Sequence, residues 1–207
     1  MTFPSSNGTE HVHAAYPAPP ARVFVGLKIP LEIASRLAKF AAALEAPSVR
    51  PVAPANIHLT LLPPWNETSI PDAIAKLGRE ASGFSAFQLI FQHVGYGPQP
   101  RRPRLLWADC AATDEITAFH AALLAAYGQM DDRPFQPHVT LARIRASGPA
   151  IARKNPIDQP LSLRQRVDTV ELFQSPPPGG IGYRILASLR LGETTGSAPA
   201  TGGIGGR

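Results

Sequence analysis

Two short stretches of this sequence carry the same pattern, and they decide the fold that we predict. The first reads Asn56-Ile-His-Leu-Thr-Leu61, and the second reads Gln136-Pro-His-Val-Thr-Leu141. In a β-strand, residues i and i+2 point to the same face. Each stretch therefore presents its His and Thr on one face and its aliphatic residues on the other, which is typical of a strand in a half-buried sheet.

The chain around each stretch repeats as well. Each unit is predicted to contain a strand, a helix with one apolar face, a proline-rich loop and a second strand. The first unit has a strand at 23–27, a helix at 31–44 and a strand at 56–62 that ends at Pro63 and Pro64; the second has a strand at 105–108, a helix at 114–127 and a strand at 138–144. Further strands are expected at 84–94, 166–173 and 183–191. A unit that occurs only twice predicts two related lobes rather than a solenoid.

The composition fits one globular domain between two tails. The chain has 207 residues, of which 44% are hydrophobic, and this is enough for one sizeable core. Residues 1–21 and 192–207 are rich in small residues, Pro or Gly and lack periodicity, so we expect them to be disordered. Residues 22–191 are expected to form a single bilobal domain.

Charge, cysteine content and hydropathy restrict the environment. The net charge of +5 and the pI of about 9.8 modestly favour a polyanionic partner. Cys110 is the only cysteine, so no internal disulfide can form, which fits a reducing cytoplasm. The sequence has neither an apolar run of membrane-spanning length nor the pattern of a secretory signal. We expect a cytoplasmic monomer without a membrane partner.

The two His-x-Thr pairs suit proton transfer on a cyclic phosphodiester. If the lobes pair about a pseudo-two-fold axis, His58, Thr60, His138 and Thr140 line one cleft. A pKa near 6.5 lets one imidazole take a proton from water while the other gives a proton to the leaving sugar oxygen. Threonine hydroxyls beside them can hold the non-bridging phosphate oxygens. Because water is the only nucleophile required, we expect neither a metal ion nor a cofactor.

The residues that carry this chemistry resemble the two-histidine phosphoesterase superfamily, and in particular the RNA 2′,3′-cyclic phosphodiesterases, also called 2′-5′ RNA ligases. The matching stretches are Arg22-Val-Phe-Val-Gly-Leu-Lys-Ile-Pro30, Asn56-Ile-His-Leu-Thr-Leu61, Leu105-Leu-Trp107 and Arg133-Pro-Phe-Gln-Pro-His-Val-Thr-Leu-Ala-Arg143. A weaker match runs through Val170-Glu-Leu-Phe173 to Tyr183. The resemblance implies an α+β fold of two pseudo-symmetric lobes, in which antiparallel sheets line a central cleft and helices lie outside.

The resemblance also implies a role for several side chains. His58 matches the proton donor to the leaving O3′, and His138 matches the base that activates water, so the product would carry a 2′-phosphate. Thr60 and Thr140 match phosphate-binding threonines, and Arg143 matches an arginine that helps to hold the site. From the strand pattern, Phe24 is expected on the cleft side, either as a stacking platform for a base or as an ordinary core residue.

Several functions are compatible with these residues. The leading hypothesis is hydrolysis of RNA 2′,3′-cyclic phosphate ends. The same site could instead join RNA ends through a 2′-5′ bond, or open a cyclic phosphate on a small nucleotide or ADP-ribose derivative. A non-enzymatic module that binds RNA ends is disfavoured, because a binder needs neither proton-transfer group. Arg101, Arg102 and Arg104 form a basic cluster that could follow an RNA backbone or could be a solvated loop.

Overall fold

The computed structural model describes residues 20–192, so the tails expected at 1–21 and 192–207 fall almost entirely outside it. The described chain is an α+β domain. Its elements are β1 (Ala21–Lys28), α1 (Leu31–Ala42), β2 (Val49–Pro51), a 3₁₀ helix (Pro54–Asn56), β3 (His58–Glu67), α2 (Ile70–Ser82), β4 (Phe87–Gly97), β5 (Leu105–Cys110), α3 (Asp114–Ala126), β6 (His138–Ile144), α4 (Gly148–Lys154), β7 (Gln159–Val167), β8 (Thr169–Gln174) and β9 (Arg184–Arg190).

The strands form one antiparallel sheet that is built from two halves. One half has the order β9-β8-β1-β3, and the other has the order β6-β5-β4-β7, with β2 also paired to β6. A single residue pair between the middle strands, Leu59 with Val139, joins the halves. The predicted α+β class is confirmed, and the two expected sheets merge into one at this pair.

The aliphatic faces of β3 and β6 are the centre of the core. Leu59 and Val139 are 0% exposed, and Leu61 and Leu141 are equally well covered. Helix α1 contacts β6, whereas α3 contacts β3, so each helix covers the central strand of the opposite half. Burying each of these aliphatic side chains contributes about 1.5–3 kcal/mol to folding. Because each helix packs on a strand of the other half, the two halves share one core.

A β-bulge interrupts each central strand at the same place in the repeat. In β3 the register against β1 shifts so that Leu61 is the extra residue, and in β6 the register against β5 shifts so that Leu141 is the extra residue. Each bulged carbonyl accepts a hydrogen bond from outside the ladder: Leu61 from His120 Nδ1 at 2.6 Å, and Leu141 from the Val52 amide at 2.8 Å. Beyond each bulge the alternation of faces is reversed.

The expected end of the second strand at Pro63 and Pro64 is wrong, because β3 continues to Glu67. Beyond its pair with Val139, β3 separates from β6 and keeps only β1 as a neighbour. A proline lacks the amide hydrogen that a ladder needs, but it is tolerated where one edge of a strand is free. The prolines therefore lie in the strand.

Helices α2 and α4 were not predicted from the sequence, although α2 carries a recognisable start signal. The Ser69 side chain accepts a hydrogen bond from the Asp72 amide, and Pro71 lies in the first turn. The region expected as one strand at 166–173 is instead divided between β7 and β8. No helix formed by residues 20–192 is long and apolar enough to cross a membrane.

Candidate active site

The two His-x-Thr stretches lie side by side and antiparallel on one face of the sheet. Directly opposite residues of a ladder share a face, so the single pair between β3 and β6 determines the arrangement of its neighbours. His58 and Thr60 flank Leu59, and His138 and Thr140 flank Val139, so the four polar side chains lie on the face opposite to this buried pair. All four side chains are half-buried, and this matches the predicted cleft face.

Both imidazoles are oriented in the same way by the backbone. His58 Nδ1 lies 2.7 Å from the carbonyl oxygen of Asn56, and His138 Nδ1 lies 2.8 Å from that of Gln136. A carbonyl can only accept, so Nδ1 donates and carries the hydrogen in both rings. The second ring nitrogen, Nε2, is thereby left in each histidine to exchange a proton with a ligand.

An aromatic box surrounds His58. Its ring centroid lies 4.8 Å from those of Phe24 and Tyr183 and 5.5 Å from that of Phe173. Burial among these rings lowers the pKa of His58, and the positive charges of Arg143 and His138 lower it further, while the hydrogen bond to Asn56 acts in the opposite direction. His58 is therefore held towards its neutral form.

His138 has a more polar environment than His58. One aromatic ring, that of Trp107, packs on it at a centroid distance of 4.3 Å, and Asp109 lies directly opposite it in the β5–β6 ladder. Burial lowers the pKa of His138, and the positive charge of Arg143 lowers it further. The hydrogen bond to Gln136 and the negative charge of Asp109 raise it. The two histidines therefore differ in their neighbours: the negative charge of Asp109 raises the pKa of His138, and no carboxylate acts on His58 in this way.

Asp109 belongs to a small group of titratable residues on β4 and β5. His93 Nδ1 lies 3.7 Å from Asp109 Oδ2, and the other ring nitrogen of His93 contacts Asp158. Burial raises the pKa of Asp109, while His93 and His138 lower it. The carboxylate thus faces one imidazole on each side.

Replacement of Asp109 by asparagine should lower the pKa of His138, because the substitution removes a negative charge that stabilises the imidazolium. The pKa of His58 should change less, since Asp109 makes no identified contribution to it. NMR titration of the histidine ring protons in the unmodified protein and in Asp109→Asn measures both values. An unchanged pKa of His138 would contradict the electrostatic role of Asp109.

Arg143 reaches the same face as the histidines because of the bulge in β6. Strict alternation from His138 would turn Arg143 towards the helices, but the extra residue Leu141 reverses the faces. Arg143 is consequently exposed while its neighbour Ile144 is buried, and its charge lowers the pKa of both histidines. The corresponding residue of the first half is Pro63, so the site has one arginine rather than two.

Phe24 lies beside His58 on the cleft side, and of its two expected roles the structure favours the ordinary core residue over a platform for a base. Phe24 is 2% exposed, and its ring stacks on Phe173 at 4.8 Å with an interplanar angle of 6°. Its edge is covered by Tyr183 and its other neighbour is His58. No ring face is left for a base, so Phe24 instead supports His58.

A cavity of about 680 Å³ opens beside His138, on the side away from the aromatic box. Its lining combines cleft residues with the loop that precedes β6, namely Thr60, Leu61, Pro63, Pro98, Leu105, Trp107, His120, Asp131, Arg133, Pro134, Phe135, Gln136 and His138. Phe135 is fixed there by stacking on His120 at a centroid distance of 3.9 Å. The cavity therefore has apolar walls and polar groups at the cleft, which suits a nucleoside.

Several residues of the site were given no role by the sequence analysis, although Trp107 and Tyr183 lie in the stretches that resemble the family. Trp107 and Asp109 alternate on β5 and so share a face, but only the register of β5 against β6 brings that face to His138. Tyr183 reaches His58 from a loop near the end of the described chain, where its amide nitrogen donates a hydrogen bond to the Asn56 side chain. No local pattern in the sequence predicts that contact.

Known proteins resemble this chain in sequence and in fold. An RNA 2′,3′-cyclic phosphodiesterase of Archaeoglobus fulgidus is 27% identical over 137 residues, which are 63% of this chain and 77% of that protein. A protein of the same name from Thermus thermophilus is 30% identical over 117 residues, which are 49% of this chain and 57% of that protein. The crystal structure of TT0787 from Thermus thermophilus superposes with a TM-score of 0.70 at 27% identity, covering 84% of this chain and 100% of the other. The family model of the 2′-5′ RNA ligase superfamily matches residues 11–176, and the chain therefore belongs to that superfamily.

Proposed function

We propose that this protein hydrolyses the 2′,3′-cyclic phosphate ends of RNA to 2′-phosphates, with His58 and His138 as a metal-independent acid/base pair. The observation that carries the proposal is the antiparallel pairing of the two His-x-Thr stretches on one face of the sheet. Each imidazole has Nε2 left for a ligand, and in the proposal the two rings act on opposite sides of one phosphorus atom. An in-line displacement needs a base and an acid in that relation.

In the proposed reaction His138 acts as the base and His58 as the acid, so His58 must enter as the imidazolium although its surroundings lower its pKa. His138 takes a proton from water as the water oxygen bonds to phosphorus. The bond from phosphorus to O3′ breaks, and His58 gives its proton to O3′, so the phosphate remains on O2′. Loss of the proton from His138 to solvent and reprotonation of His58 complete the cycle. The resemblance to the family supports this assignment of the two roles.

The neighbouring side chains are proposed to hold the phosphate. The hydroxyls of Thr60 and Thr140 lie on the same face as the imidazoles and can donate to the two non-bridging oxygens. The guanidinium of Arg143 adds a positive charge whose influence reaches both histidines. Negative charge grows on these oxygens as the fifth ligand joins phosphorus, so the donors stabilise the transition state more than the ground state.

The relatives support an enzyme of this kind. The relatives from Archaeoglobus fulgidus and Thermus thermophilus, which are 27% and 30% identical to this chain, are both named RNA 2′,3′-cyclic phosphodiesterase. The superfamily name also favours a second reaction of the same site. If the 5′-hydroxyl of another RNA replaces water as the nucleophile, the same proton transfers produce a 2′-5′ bond.

The proposal is tested with a short RNA that ends in a 2′,3′-cyclic phosphate, incubated with the purified protein and excess EDTA. The RNA should gain the mass of one water, and chromatography against authentic standards should identify a 2′-phosphate. A parallel reaction with an excess of 5′-hydroxyl RNA measures ligation.

Each other outcome contradicts a stated part of the proposal. An unreacted cyclic end in a folded protein would contradict RNA hydrolysis. A 3′-phosphate product would contradict O3′ as the leaving oxygen, and loss of activity in EDTA that a divalent metal restores would contradict metal independence.

A further inference from the structure

Three arginines lie together where the site face continues along β6 and β2. Arg50 and Arg143 are directly opposite each other in the β2–β6 ladder. Arg145 follows two residues later, just past the end of β6, and its amide nitrogen donates a hydrogen bond to the carbonyl oxygen of Ser48. All three arginines are exposed. We call Arg50, Arg143 and Arg145 the arginine cluster.

The arginine cluster forms no ion pair within residues 20–192. Like charges that are directly opposite on a ladder destabilise it, yet none of the three guanidinium groups forms an ion pair with a carboxylate of residues 20–192. Neither β2 (Val49–Pro51), nor β6 (His138–Ile144), nor the turn 98–104 contains an Asp or Glu. An anion from outside the chain would offset this repulsion.

The surroundings extend the positive charge away from the histidines. Leu105 pairs with Arg143 on the other side of β6, so the turn between β4 and β5 ends beside the arginine cluster. That turn carries Arg101 and Arg102, both exposed. The positive surface thus starts with Arg143 at the candidate phosphate site. It continues through Arg50, Arg145 and the arginines of the turn, which are more positive groups than one phosphate can contact.

We infer that the arginine cluster binds the phosphodiester backbone of the RNA strand whose cyclic end lies between His58 and His138. The inference rests on the proposed function and names its substrate class, an oligonucleotide rather than a mononucleotide. Successive phosphates leave the cleft past Arg143 and meet Arg50 and Arg145. Guanidinium groups suit this role because each can donate two hydrogen bonds to one phosphate.

The test compares two substrates in variants that spare Arg143. Arg50→Gln, Arg145→Gln and the double variant are assayed on an RNA ten-mer with a 2′,3′-cyclic phosphate and on 2′,3′-cyclic AMP. For the ten-mer, kcat/KM should fall about 10-fold in the double variant, the loss expected for about 1.4 kcal/mol of phosphate contacts. For cyclic AMP it should stay nearly unchanged.

Salt dependence supplies an independent readout. The slope of log kcat/KM against log salt concentration for the ten-mer should become shallower by about 0.7 for each arginine removed, because each phosphate contact releases a condensed counterion. Arg79→Gln is the matched control, since Arg79 is exposed on α2, which packs on β8 and β9. This control should change neither kcat/KM nor the slope.

The remaining outcomes separate this inference from the proposed function. An equal loss on both substrates would overturn it, because the arginines would then serve the site in general, and an unchanged ten-mer reaction would overturn it as well. If the unmodified protein opens neither substrate, the proposed function fails, but RNA binding by the arginine cluster can still be measured directly. Affinity for a 3′-phosphorylated ten-mer, measured by fluorescence anisotropy, should then fall in the double variant, and an unchanged affinity would overturn the inference.

Discussion

Replacement of His138 by alanine should lower kcat/KM for a cyclic RNA end by about 10²–10⁴-fold, and replacement of His58 should do the same. Each substitution removes the one group positioned to move a proton on its side of the phosphorus atom. Each substitution also removes a ring that packs on aromatic neighbours, so the fold of each variant has to be checked. The measurement is the initial rate of ring opening at several RNA concentrations, with thermal unfolding as a check on the fold.

The double variant tests whether the two histidines act as a unit. If both proton transfers belong to one displacement, losing the second partner adds little once the first is gone. The double variant should therefore be about as slow as the slower single variant. Multiplicative losses would contradict a concerted pair. His93→Ala is the control, because His93 is a third imidazole on β4 with no proposed proton transfer, and it should reduce the rate only slightly.

Replacement of Thr60 or Thr140 by valine should lower kcat by about 10²–10³-fold, the loss typical for one donor to a developing oxyanion. Valine keeps the branched shape that a strand favours and deletes only the hydroxyl. The effect should fall on kcat more than on KM, since the hydrogen bond strengthens as charge develops on the phosphate oxygen. Steady-state kinetics on the cyclic RNA end separate the two constants.

Serine variants supply the control for the threonines. Thr60→Ser and Thr140→Ser keep the hydroxyl and lose one methyl group, so most of the activity should return. If serine is as poor as valine, the methyl group and not the hydroxyl is important, and the proposed phosphate contact is wrong. A loss confined to KM would likewise argue for simple ground-state binding.

The sequence alone was sufficient for the central strands and for the composition of the face they share. A period of two separates His58 and Thr60 from Leu59, and His138 and Thr140 from Val139, whatever the rest of the chain does. Burial follows that division closely, since the aliphatic partners are fully covered and the polar pairs are half-buried. Helices α1 and α3 follow from their own apolar spacing in the same way.

Periodicity is less informative where a strand departs from regular alternation. By strict alternation Arg143 belongs to the helix side, and only the bulge at Leu141 turns it to the histidines. The Leu141 carbonyl at that bulge accepts a hydrogen bond from the amide of Val52, a residue far earlier in the chain. The strand end predicted at Pro63 and Pro64 was wrong for a related reason. Whether a strand can contain a proline depends on which of its edges has no neighbouring strand, and the sequence does not show this.

The sequence by itself determined which side chains can carry the chemistry, because their identities and their faces are local properties of the chain. Only the tertiary structure decided how the two histidines differ. Tyr183 and Phe173 cover His58, while Asp109 faces His138, and each of these contacts joins residues that are far apart in sequence. Strand register and loop closure depend on the packing of the whole core, so no local pattern encodes them.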